Sequence, residues 1–459
     1  MFPFITLLGL TLNALSAEAH DLSTQVTMYS ADHALIRHLR RVEHPQGESA
    51  VTFPGVAATL DLSSVTVRSN TDPSTVTATD IRFHPGITTP ANLLNALKGH
   101  TVRVLLPDPT TPERTISREA VLLAATTPPI FQMEDGIYLG EHRGIQIPQA
   151  NSLVLAPTLS WRAKNLGPNH HDIEVLYLAS GMRWSMDYSL YLHHDGTTGE
   201  LTGQATITNN AGLDLAGAQL RLVAGDVDFN EDNSRKYLAA PSMVREEGPQ
   251  YHREEIHGGH MYTLPQPVDI AANETVQVPL IATRTIQVEP YLAAASDAMP
   301  QRWSGATTTT HPRTMLRLHN RAASGLGIPL PQGTVRVYGK TESGPVLLGE
   351  NTIGHTPVDT EARLRLGESF DVVIERRMLD YQELGRNAAR CTWELRIQSA
   401  QSTPQRLELS ERFHGDWTIQ APSHPFVQKD SRTALLDLTL APTPKDAPMV
   451  VRYTVEARW

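Results

Sequence analysis

Apolar and polar residues alternate along most of this chain. That is the period of a strand with one face on a core and the other in water. Clear runs are residues 23–28 (STQVTM), 60–67 (LDLSSVTV), 205–208 (ATIT), 333–338 (GTVRVY), 363–366 (RLRL) and 450–459. Turns rich in Pro, Gly and Asn separate them at short intervals. Helical periodicity is scarce. The best case is TTPANLLNALKGH at 88–100, where Thr89 can cap, Pro90 suits the first helical position and Gly99 can close the end. That is about two turns of helix, a connector rather than a framework. The pattern therefore predicts an all-β chain of β-sandwiches, with one short helix and a small β-barrel-like unit.

The predicted divisions are 1–19, 20–88, 89–150, 151–290 and 291–459. The first is an apolar stretch ending in Ala17-Glu18-Ala19, an A-x-A pattern that reads as a cleaved signal peptide, although no Lys or Arg precedes it. The second is an N-terminal β unit. The third holds the short helix and the short strands of the barrel-like unit. The last two are a β domain and a C-terminal β-sandwich, which includes the small, polar stretch 292–312 (LAAASDAMPQRWSGATTTTHP). No later apolar stretch is long enough to span a bilayer, so the mature chain is expected to lack a transmembrane segment and to be periplasmic or secreted.

Composition narrows the function. With 40% hydrophobic residues and 30 glycines, the chain can build real cores. A formal net charge of −10 argues against a dedicated nucleic-acid binder. One cysteine excludes a disulfide framework within the chain and any cysteine-based metal site. Cys391 lies in an alternating run (RCTWELRI), where a buried thiol is expected. The sequence contains no P-loop, no G-x-G-x-x-G, no G-x-S-x-G and no H-E-x-x-H.

Several segments carry a family resemblance. They are 177–192 (YLASGMRWSMDYSLYL), 205–226 (ATITNNAGLDLAGAQLRLVAGD), 259–280 (GHMYTLPQPVDIAANETVQVPL), 327–338 (GIPLPQGTVRVY), 348–359 (LGENTIGHTPVD) and 367–377 (GESFDVVIERR). In this order they resemble the exported bacterial family with the domain of unknown function that also occurs in mucoidy-inhibitor-A-type proteins. The N-terminal stretch 34–69 resembles that family's first unit. Longer relatives carry a coiled coil that this chain lacks. The resemblance implies a fold and a compartment, not a reaction.

The same motifs have a physical reading. Trp184, Tyr188 and Tyr191 are expected to anchor a core. Asn209, Asn210 and Gly212 read as turn residues. Gly333 and Gly367 read as places where a side chain would clash. In 367–377, Phe370, Val372 and Ile374 should share one strand face, and Asp371, Val373 and Glu375 the other. Those carboxylates could pair with Arg376 or Arg336.

Histidines supply the candidate chemistry. His252, His257 and His260, with Glu254 and Glu255, have the ligand types for zinc or copper. Cleavage after Ala19 would make His20 the N-terminus. Its amine and imidazole, joined by a second histidine, form the three-nitrogen copper brace of oxygenases that attack polysaccharides. The pairs His170-His171 and His193-His194 read as exposed loop residues. Asp226, Asp228, Asn230 and Asp232 alternate like the start of a calcium loop, but lack its glycine and closing glutamate. Val451, Tyr453, Val455, Ala457 and Trp459 line one face of a final sandwich strand.

No catalytic residue and no cofactor emerges from these patterns. The leading expectation is a non-catalytic, exported cell-envelope binding or scaffold protein, with an envelope protein or glycan as partner. The alternative is a copper- or zinc-dependent enzyme using His20 or the His252/His257/His260 cluster.

Overall fold

The computed structural model describes residues 20–87, 90–108, 110–111, 113–147, 156–225, 252–256, 259–300, 307–443 and 447–459. They form an all-β protein with one short α-helix, Pro90–Ala96. Gly99 follows that helix and its N–H bonds to Leu122 O, which ties the connector to a neighbouring strand. No helix among these residues is long and apolar enough to cross a membrane. The chain divides into two compact units. One holds residues up to Trp184 and Thr206–Gln277; the other holds Ser185–Ala205 and Val278–Trp459.

The first unit is built around an eight-stranded sheet. At its centre, strand His33–Glu43 pairs antiparallel with both His20–Tyr29 and His170–Ser180. A three-stranded sheet, Gly47–Pro54, Thr158–Asn165 and Val76–His84, packs against it. Phe53 of the small sheet meets His38 of the large one edge-on, and Trp161 tilts against Phe53. Residues 101–146 add a five-stranded antiparallel sheet over its own apolar cluster. The expected barrel-like unit is this sheet, which stays open among the described residues.

The second unit contains a sandwich. Leu292, Leu407, Leu409, Leu436 and Leu438 of a ten-stranded sheet share one core with Val372, Ile374, Leu395, Ile397, Val451 and Tyr453 of a five-stranded sheet. Strand Met449–Arg458 pairs with Ala388–Ser399 and Asp416–Gln420 inside the smaller sheet. Its alternate residues Val451, Tyr453, Val455 and Ala457 are buried, as the sequence pattern required. Trp459 leaves the strand and is half exposed.

Two apolar residues fall on the wrong side of the expected cores. Trp184 and Tyr188 are buried in strand Met182–Leu192, but Tyr191 has the opposite parity and stacks on Tyr338 outside. Phe370 precedes strand Val372–Gly385, so the strand's alternation does not bind it, and it is 92% exposed. Asn209 is a turn residue of a buried kind: its amide donates to Leu213 O and Ala271 O, and its oxygen accepts from Ala211 N.

Candidate functional site

Among the described residues, no group of three His, Cys, Asp or Glu side chains could hold an ion. His20 opens strand His20–Tyr29, opposite Arg41. His252 lies opposite Thr263, and His260 opposite Glu255, in the two strands at one edge of the eight-stranded sheet. His257 lies outside the described residues, as do Asp226, Asp228, Asn230 and Asp232. His193 and His194 are exposed, and Asp195 caps their turn. His171 is a correction. It is fully buried in a strand, between Ser69 Oγ at 2.9 Å and Asn165 Oδ1 at 3.1 Å. Strand alternation sends its neighbours the other way, and Asp172 pairs with Arg41 at 2.8 Å. Cys391 is fully buried, and burial pushes its thiol up to about 12, so it stays protonated and inert.

The structure instead gathers charge on the outer face of the ten-stranded sheet. Six adjacent strands contribute: Glu361–Glu368, Arg313–His319, Glu274–Asp297, Gln405–Arg412, Thr433–Leu440 and Val427–Asp430. On three of these strands the inward residues Leu292, Leu407, Leu409, Leu436 and Leu438 enter the sandwich core. Period-two alternation therefore turns Glu361, Arg363, Arg317, Tyr291, Arg406 and Glu408 outward. A cleft of about 440 Å³ crosses this face. One stretch is charged; Ala293, Met315, Leu435 and Val427 line the rest, with Lys429 on the edge strand.

Arg317 is the hub. Its side chain is 7% exposed. Nη1 reaches Glu289 at 3.1 Å, Nη2 reaches Glu408 at 2.6 Å and Nε faces Glu361 at 3.4 Å. The guanidinium lies 4.6 Å from the centre of the Tyr291 ring, a cation–π contact that fixes its plane. Arg406 closes a second tier, bonding Glu289, Asp437 at 2.8 Å and Glu408 at 3.2 Å. Arg363 holds Glu361 at 2.6 Å, and His319 Nε2 lies 3.2 Å from Glu289.

These contacts set the protonation states. Burial pushes the Glu289 carboxyl up, but His319, Arg317 and Arg406 outweigh it and leave it below its ordinary value. Glu361 follows the same balance, with Arg363 and Arg317 prevailing over burial. Burial lowers Arg317, and Glu408, Glu289 and Glu361 more than restore it. Asp437 and Glu289 raise Arg406 despite its partial burial. These two carboxylates and both guanidiniums are thus charged at neutral pH. Such groups bind and orient; a general acid or base needs a pKa near the working pH.

None of these residues stands out in sequence. Arg363, Arg406 and Glu408 sit in alternating runs (RLRL, RLELSER), which show a charged outer face but not which strands share it. Leu292 lies beside Leu407 in a parallel pair more than a hundred residues apart in the chain. No protein-family model matches this chain, and no curated protein sequence matches it.

Proposed function

We propose that this chain is an exported, non-catalytic binding protein of the cell envelope that holds a glycan strand across the cleft of its second unit. The observation that carries this reading is the charge network itself. Glu361 in the cleft wall and Glu289, bonded to the Arg317 hub, are held below their ordinary value chiefly by arginines, which suits fixed acceptors rather than groups poised to move a proton. Four of the six strands under the cleft have both edges paired within the sheet. An extended peptide therefore finds few free backbone groups to add to, and recognition falls to side chains. Arginine and carboxylate groups in a fixed array, with Lys429 beside them, suit a hydroxyl-rich chain. The six strands span ~24 Å at the usual spacing, enough for several sugar residues. The resemblance to an exported family supports the compartment.

Cosedimentation with purified peptidoglycan sacculi tests the reading. The protein is expected to pellet saturably, with no soluble sugar fragments released over time. Fragments accumulating in proportion to protein would contradict the non-catalytic part. Absence of pelleting would contradict the choice of glycan.

A further inference from the structure

The outer face of the five-stranded sheet, away from the cleft, carries a second cluster with a different balance. Glu394 lies in strand Ala388–Ser399, and its side chain is fully buried by the arginines around it. Arg377 Nε and Nη2 meet Oε1 at 2.7 and 2.6 Å. Arg396 Nε meets the same oxygen at 3.0 Å. Arg452 Nε and Nη2 meet Oε2 at 2.6 and 2.5 Å. Cross-strand register produces this arrangement: Arg377 and Arg452 stand directly opposite Glu394 on its two neighbouring strands, and Arg396 is two residues along.

Three guanidiniums thus share one carboxylate, a surplus of two positive charges. Burial raises the Glu394 carboxyl, but Arg452, Arg396 and Arg377 outweigh that and keep it ionised. Each arginine remains roughly half exposed, at 41%, 43% and 57%. Arg377 Nη1, Arg452 Nη1 and both Nη groups of Arg396 make no hydrogen bond within the described residues. The carboxylate anchors the three groups within roughly 6 Å of one another, so their spare N–H groups are presented together rather than on three mobile stems. Glu375 is the nearest counterweight: it lies opposite Arg396 in register and forms no ion pair among the described residues, and Asp380, opposite Thr392, is a second acid on this face, so the surplus is local to the triad.

We propose that Arg377, Arg396 and Arg452 form a binding site for a phosphomonoester group. A carboxylate brings one charge and two oxygens. A phosphomonoester brings close to two charges and three terminal oxygens, which matches three separate donors and the local surplus. This inference is independent of the cleft and of the glycan reading.

The test follows the arginine Nε–H resonances of the full chain by NMR. Inorganic phosphate is titrated at pH 8 and constant ionic strength, beside dimethyl phosphate, a diester monoanion. Saturable shifts are expected at Arg377, Arg396 and Arg452 with inorganic phosphate, and binding about tenfold weaker with the diester. Arg452→Gln should weaken phosphate binding about tenfold. Glu375→Gln, which touches no hydrogen bond of the triad, should tighten it. Flotation with phosphatidate vesicles, competed by phosphate, would place the group on a lipid; phosphate binding without flotation would place it on a soluble molecule. Equal, unsaturable responses to phosphate, diester and chloride would overturn the proposal. So would wild-type affinity in both variants.

Discussion

His38 shows how a single buried residue shapes the behaviour of the first unit. It is 2% exposed, with Tyr177 Oη 3.0 Å from Nε2 and Thr24 Oγ1 3.2 Å from Nδ1. Burial, helped by Arg40, pushes it from 6.5 down to about 3. The unfolded chain therefore takes up a proton near pH 6.5 that the folded chain refuses until about pH 3. Stability from the neutral imidazole is complete above 6.5 and is lost as pH falls towards 3. His44 is also lowered by burial and adds in the same direction. The paired carboxylates Glu174, Glu289 and Glu361 act lower, because their ordinary value is 4.5 and their folded values lie beneath it. Urea unfolding between pH 6.5 and 4.5 should thus show stability falling by up to about 1.4 kcal/mol per pH unit for each proton taken up. His38→Gln should flatten that slope. A wild-type stability constant across the window contradicts the assignment.

At the scale of elements, Gly333 governs a pairing that alternation alone does not specify. Strand Gly333–Thr341 runs parallel to Met182–Leu192, with Gly333 beside Met186. A Cβ at Gly333 would press into the carbonyl oxygen of Met186, which is backbone and cannot rotate away. Gly333→Ala should cost about 1–3 kcal/mol in urea unfolding. Gly354→Ala, with open space around its Cβ, should stay within about 0.5 kcal/mol. Equal effects would show that the close approach does not matter.

Strand content was legible because alternation records burial directly: Val451, Tyr453 and Val455 are where the pattern put them. Tyr191 and Phe370 were misplaced for a physical reason. Aromatic character signals a core only when the residue also has inward parity and lies within the strand. His171 was missed because two adjacent histidines look like a polar loop, yet one side of a strand can bury an imidazole if Ser69 and Asn165 satisfy it. The cleft was not legible as a cleft: alternating runs show a charged outer face, but Arg317 and Glu408 are 91 residues apart, and nothing local reports that they meet.

For the whole molecule, the proposed function rests on how charge is distributed rather than on its sum of −10. The chain leaves the first unit after Trp184, returns at Thr206 and leaves again after Gln277, so neither unit is one continuous segment. Within the second unit, the two sheets spend their inner faces on one core, which frees both outer faces for charged arrays. One array is balanced and lies in a cleft; the other is cationic and flat. On the proposed function, the cleft binds without catalysing. Sacculus-binding isotherms for the wild type and for Arg363→Glu combined with Lys429→Glu test it most directly, since both side chains stand at the cleft and neither is its buried hub. The double variant should bind about tenfold or more weakly with an unchanged melting curve, while Arg103→Glu, a control on the small five-stranded sheet, should bind as the wild type does. Wild-type affinity in the double variant would contradict the proposed function.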